Sequence, residues 1–394
     1  TRDMIQAAID RGPHNSAMTP EAMEYIQSEA FDKERIGKAR IVEWIGEFKR
    51  SPPAQLKVSP IAAIPHKSRA FRSILDLSFV LRLLAGGTVP SVNMNTVKTA
   101  PQAAINQIGH VLKRLIHAFT EAPEDAKIFM AKWDVKDGFW RLNNALGDEY
   151  NFAYVLPQEP GATPKLVIPT SLQMGWIESP PYFCAASETG RDVAAQYINT
   201  PIGSLPTHKF QRLTEASTDF EALPESGSGD LATVCEVYVN DYIVIATPSS
   251  REQLRHVANA VLMGIHDVFP PDDDDSNDPI SHKKILKGEG VFALKKDLLG
   301  FDFNGEPGQH TMWLEAPKRD KLLTILHGWC RAGADRNLGI PFDVFRSTTS
   351  QLRWAFILIP QGNGLLSPFN KVLAKEPRFV FLHRNKHLFE AVRD

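Results

Sequence analysis

Across 394 residues the chain carries 43% apolar side chains and a formal net charge of −2, which suits two or three globular subdomains with a substantial core and excludes a disordered or fibrous polypeptide. Its three cysteines, Cys184, Cys235 and Cys330, are too few and too widely spaced for a disulfide framework or a zinc cluster, and read as buried thiols. No apolar run reaches the roughly 18 residues of a spanning helix and Thr1-Arg2-Asp3-Met4 lacks the order of a signal peptide, so an intracellular chain is expected, cytoplasmic or nuclear, not secreted and with no membrane partner; a first residue other than Met suggests a piece of a longer polyprotein.

In chain order, the first fifty residues show helical spacing, with Ile36, Ile41, Trp44, Ile45 and Phe48 on one face, and end at Ser51-Pro52-Pro53. Apolar runs alternating with basic residues over 58–79 predict a twisted hairpin. Helical spacing returns over 101–119, and a strand is expected at 128–135. Ser179 before Pro180-Pro181 predicts a capped helix start. Residues 200–233, rich in Pro, Gly, Ser and Glu and ending in Ser226-Gly227-Ser228-Gly229, suggest an inserted, mobile surface loop. Ser250-x-x-Gln253 reads as a capping box ahead of a helix through Leu254, Val257, Val261 and Ile265. Strands are expected at Asp297–Phe303 and Thr311–Leu314, joined through 304–308. Beyond Pro317 the pattern is helical to the end, with Ser367-Pro368 as a second capped start.

The small net charge hides a strong asymmetry. Residues 1–120 hold 16 Lys+Arg against 10 Asp+Glu (+6), residues 121–280 hold 10 against 25 (−15), and residues 281–394 hold 18 against 11 (+7). Basic ends suit contact with phosphates and an acidic middle suits metal binding; solvated surface charge around the run Asp272-Asp273-Asp274-Asp275 accounts for the same numbers equally well.

Chemistry concentrates in two short segments. Lys132-Trp133-Asp134-Val135-Lys136-Asp137-Gly138-Phe139 places an aspartate at the end of a strand. Tyr238-Val239-Asn240-Asp241 closes one strand of Val and Tyr and opens another of Ile and Val. Two carboxylates on adjacent strands can hold magnesium, which seeks hard anionic oxygen. Taken singly, Asp134 also suits a turn cap, and Asn240-Asp241 also suits a plain two-residue hairpin turn.

Over residues 55–375 the order of these segments resembles a reverse transcriptase of a retrotransposon polyprotein, of long-terminal-repeat or tyrosine-recombinase type, with a degenerate Tyr-x-Asp-Asp hairpin. Residues 64–78 look like the basic fingers hairpin, in which Lys67 and Arg72 grip the triphosphate. Asp134 to Phe139 looks like the first catalytic motif, with Phe139 excluding a ribose 2′-hydroxyl and the Val135 carbonyl a further metal ligand. Residues 171–180 resemble the motif that positions template and nucleotide, carried by Met174 and Gly175. Leu299-Gly300-Phe301, continuing to Trp313, is similar to the primer grip, and Lys287 falls near the place of a lysine that protonates pyrophosphate.

The resemblance implies an α+β right-hand polymerase fold. An N-terminal helical extension would occupy 1–54, fingers 55–127 with part of 140–170, an antiparallel-sheet palm 128–316 including the insertion 200–233, and a helical thumb or connection 317–394. It implies RNA-directed DNA synthesis by two-metal nucleotidyl transfer, with Asp134, Asp241 and Asn240 as the catalytic set, two Mg2+ ions (Mn2+ as a substitute) on Asp134, Val135 and Asp241, and a primed RNA or DNA template with deoxynucleoside triphosphates as partners. RNase H and integrase or recombinase domains would stand elsewhere in the parent polyprotein.

The chain departs from the family where Asn240 replaces the first aspartate of the hairpin pair. An amide oxygen can coordinate magnesium but offsets none of its charge, and a loss of several kcal/mol would slow chemistry at least about a thousandfold. Impaired catalysis is therefore expected. Two other readings stand beside it: a non-catalytic nucleic-acid-binding protein with the same fold, and an RNA-dependent RNA polymerase, against which Phe139 argues.

Overall fold

The computed structural model describes residues 2–66, 70–84, 86–271, 277–334, 339–359 and 361–393, without the side chains of 332–334. The fold is α+β, and every paired strand in its small sheets is antiparallel. The chain forms two compact units, one from residues 1–108, 135–192 and 265–280, the other from 109–134, 193–264 and 281–394. Among the described residues no helix is long and apolar enough to cross a membrane.

In the first unit, the helix Pro20–Arg35 starts where the Thr19 hydroxyl accepts the Ala22 N–H, with Pro20 at its first position. Ala22, Ile26 and Ala30 recur every four residues and pack with Ala39, Ile61 and Val167 into one apolar cluster. The helical face expected through Ile36 and Ile41 is not formed. Gly37, at φ 71°, ends the helix, and Ala39–Glu43 is a strand paired with Lys165–Pro169. Its partner lies more than a hundred residues away, so local spacing could not reveal it. The hairpin expected near 58–79 is present as Ile61–Pro65 with Phe71–Leu75. Ser179 opens the helix Ser179–Ile198 but does not cap it as expected: its hydroxyl donates to the Gln173 carbonyl at 2.8 Å.

The second unit is built on a three-stranded sheet in which Asp241–Thr247 lies between Phe129–Asp134 and Ala232–Tyr238. Met130, Ile243 and Ile245 on one face pack with Val111, Leu115 and Phe119 and with Leu298, Phe301 and Phe303. The alternate residues Trp133, Tyr242 and Val244 are also fully buried, so both faces of the sheet are covered. Each such side chain contributes roughly 1.5–3 kcal/mol by leaving water.

A second sheet runs Lys295–Leu298, Phe301–Asn304, Thr311–Leu314. The continuous strand expected over Asp297–Phe303 is broken by a turn at Leu299 and Gly300, both in the left-handed region at φ 54° and 87°. The insertion 200–233 is also more than a surface loop: Phe210, Phe220 and Leu223 are buried, the His208 N–H donates to Asn259 at 2.9 Å, and Arg255 pairs with Glu215 and Glu225. Of the expected capping box, the Ser250 hydroxyl accepts the Gln253 N–H, while the Gln253 amide oxygen takes the N–H of Ser249.

The C-terminal part is mainly helical, around stacked Trp329, Phe345 and Phe369. It also contains a short ladder, Ile340–Pro341 with Phe379–Val380, that the helical pattern concealed. Ser367 is not a cap either. Leu366 before it keeps helical backbone angles, so the chain never takes the extended geometry that a capping side chain needs.

Candidate active site

The hairpin between Ala232–Tyr238 and Asp241–Thr247 turns on two residues, Val239 and Asn240, and Asp241 is already in the strand. The tip therefore sits one residue earlier than an Asn240-Asp241 turn would put it. Val239 holds φ 59°, a region that two-residue turns normally give to Gly, Asn or Asp. For a β-branched residue this conformation costs on the order of 1–3 kcal/mol, and such strain gathers at functional sites.

Asp241 is paired in register with Asp134 at the end of the neighbouring strand. Directly opposed residues point to the same face of a sheet, so the two carboxylates share a face. Two residues back along that face come Lys132 and Ile243, and beyond them Met130 and Ile245 in the apolar core. The face thus passes from dry to charged within three pairs, and the carboxylates sit at its charged end.

Asp134 is 9% exposed. Its Oδ1 accepts the Asn240 side-chain N–H at 2.8 Å and pairs with the Lys284 ammonium at 2.7 Å. Burial pushes the Asp241 carboxyl above its ordinary value; Asp134 and Glu289 add to the shift, and Lys132 and Lys284 oppose it. Asp241 Oδ1 is shielded from solvent with no hydrogen-bond partner among the described residues. Burial lowers the affinity of Lys132 for its proton, but Asp241, Glu289 (3.0 Å away) and Asp297 outweigh it, and the net shift is upward. Lys296 moves the other way, to about 8, through burial reinforced by Lys132; its ammonium donates to the Gly288 carbonyl.

The donor set, as arranged, does not fit a two-metal centre. Among the described residues no three His, Cys, Asp or Glu side chains converge to hold a cation. Asp134 Oδ1 is taken by two donors, and Asn240 turns its N–H₂ rather than its oxygen toward it.

The remaining expected site residues fall as follows. Lys67 lies outside the described residues. Val135 is buried and bridges to Ile280, while Asp137 holds φ 55° and pairs with Lys33 at 3.5 Å. Phe139 packs edge-on against Phe183 at 5.4 Å. Arg72 donates to the Met174 sulfur at 2.6 Å, and its buried Nε has no partner among the described residues. Gly175 holds φ 102°, and a Cβ there would stand 3.0 Å from the Leu75 carbonyl, so glycine is required. Leu299 and Gly300 form the second hairpin tip, where the Leu299 carbonyl accepts the Trp354 indole N–H at 3.1 Å; Phe301 is buried and Trp313 is 62% exposed.

Lys132, Lys284 and Glu289 were missed as members of this cluster. Lys132 could have been found, because two residues before Asp134 in a strand means the same face. Lys284 gives no such signal: it arrives 150 residues later on the five-residue helix His282–Leu286. Lys287, the lysine singled out by resemblance, is exposed at the end of that helix.

No family model matches the chain, and no curated protein does. Among solved structures it is similar to a foamy viral protease-reverse transcriptase in complex with an RNA/DNA hybrid, at 14% identity and a TM-score of 0.48; the match covers 97% of this chain and 39% of that protein.

Proposed function

We propose that the chain is a polymerase-type module of reverse-transcriptase kind that engages a primed template and is impaired in nucleotidyl transfer. The observation that carries this reading is the register of Asp241 opposite Asp134 at the end of an antiparallel sheet, with a strained two-residue tip beside them. The motif order supports it further. On this reading residues 128–316 form the palm, 55–127 with part of 140–170 the fingers, and 317–394 the thumb. Arg72, on the strand Phe71–Leu75 beside Met174, is then suited to a triphosphate. Two magnesium ions, or manganese, belong to the reading only when Asp134 is free of Lys284 and residue 240 can supply an anionic oxygen.

A second reading, a non-catalytic nucleic-acid-binding role, is favoured by the engagement of Asp134 with Asn240 and Lys284. Primer extension on an RNA template with deoxynucleotides separates the two. Asn240→Asp combined with Lys284→Met should raise extension by about a hundredfold or more over the native chain, and Asp134→Ala in that background should abolish it. Salt-dependent primer–template binding with no extension by any variant would leave only the binding role.

A further inference from the structure

We infer that Lys284 is a built-in counter-cation, which neutralises Asp134 in place of a metal ion and makes this centre independent of divalent cations. The inference rests on reading Asp134 as the residue that would otherwise hold metal.

Lys284 is not a stray surface lysine. The segment that carries it is strapped along the strand Phe129–Asp134 at several points. The Ser281 N–H donates to the Asp134 carbonyl at 3.0 Å, the Lys132 N–H donates to the Glu289 carbonyl at 3.0 Å, and the Lys132 and Glu289 side chains form an ion pair alongside. Gly290 lies so close to the Trp133 ring that a Cβ would come within 2.9 Å of it. This fixes the short helix at the strand end and delivers the Lys284 ammonium to Asp134.

Charge balance explains why Asn240 accompanies it. With asparagine at the tip, the paired strand ends carry two carboxylates, Asp134 and Asp241. Lys284 pairs with the first, and Lys132 lies one pair further along the same face of the sheet. A third carboxylate at position 240 would add negative charge where Lys284 is already seated on Asp134 and Lys132 already pairs with Glu289. Asn240 removes that charge and donates to the same Asp134 oxygen that Lys284 engages. A magnesium ion would have to shed tightly held water and displace an ammonium already seated on Asp134.

The test reads cation binding rather than activity. Titration of Mn2+ into the full chain, followed by the loss of the free-ion paramagnetic resonance signal, should give weak binding for the native protein. Lys284→Met should bind about tenfold tighter or better, whereas Lys284→Arg, which keeps the positive charge, should stay native-like. Thermal unfolding of the native chain should be the same in chelator and in magnesium, and that measurement needs no variant to fold. Equal Mn2+ affinity for native and Lys284→Met, or a native midpoint that rises clearly with magnesium, overturns the inference. Primer–template binding reports the parent reading separately: a chain that binds no nucleic acid yet gains Mn2+ affinity in Lys284→Met refutes the functional reading and leaves the counter-cation intact.

Discussion

Two hairpin tips in the same unit each bring a pair of carboxyl groups together, and each solves the repulsion differently. At the first, Asp134 and Asp241 face each other and a lysine side chain takes up one of them. At the second, near the Leu299-Gly300 turn, partial desolvation and then a hydrogen bond to Glu315 push Asp297 up to about 6, while Glu315 is held down by that bond and by Lys318 at 2.9 Å. A proton does there what an ammonium does at the first tip. The proton at the second tip can leave as pH rises through about 6, whereas the ammonium at the first is delivered by a segment fixed to the strand through backbone hydrogen bonds. The tips themselves also differ. Val239 carries its positive φ on a β-branched side chain with asparagine after it, whereas Leu299 is unbranched at Cβ and is followed by glycine.

The largest effect that tests this contrast is expected from Asp134→Ala. It leaves the Lys284 ammonium and the Asn240 amide without their shared acceptor, and should cost about 2–3 kcal/mol in urea unfolding, below the usual figure for a fully buried pair because the Lys284 side chain keeps 38% of its exposure. A loss under about 0.5 kcal/mol would mean that the pair behaves as an ordinary surface ion pair. Val239→Gly should stabilise by about 1 kcal/mol, the relief of the tip outweighing the entropy of an added glycine. The same change at Leu299 should do less, and the order reverses if the strain is not local to Val239.

The smallest effect concerns pH. Because the folded state raises the Asp297 value above the ordinary carboxyl range, the stability it contributes is full at low pH and is lost as pH rises through about 6. Asp297→Asn should therefore melt higher than the native chain at about pH 8 and level with it near pH 4, since the neutral form is then common to both. A constant difference across that range would remove the shared proton from the account. Glu315 has the opposite sign and sharpens the comparison: its lowered value gives stability that is kept at neutral pH and lost in acid.

Much of the fold was legible where the pattern is local. The strand ending at Asp134, the hairpin at Tyr238 and the helices Gln102–Glu121 and Arg251–Val268 follow from runs that repeat every two or every three to four residues. What was hidden depends on distant partners. Ile41 reads as helical until Lys165–Pro169 is known to lie beside it, and the polar insertion reads as loose until Phe210 and Phe220 are seen buried. Leu299 looks like strand because its side chain is apolar, while its backbone is shaped by the glycine that follows. At the site, the carboxylates announce themselves by spacing. The lysine that neutralises one of them does not, because its position is set by a strap of backbone hydrogen bonds rather than by any sequence period.

That strap has a consequence for association between molecules. Phe129–Asp134 is the outer strand of its sheet, and an outer strand with bare N–H and C=O groups invites another chain to add on. Here those groups are met from residues 281–293: Asp134 by Ser281, Lys132 by Glu289, and Met130 by Ala293 in both directions, at 2.9 and 3.1 Å. A chain nicked or loosened between 281 and 293 would expose a ready template for edge-to-edge aggregation, and would be lost to precipitate before its chemistry could be tested.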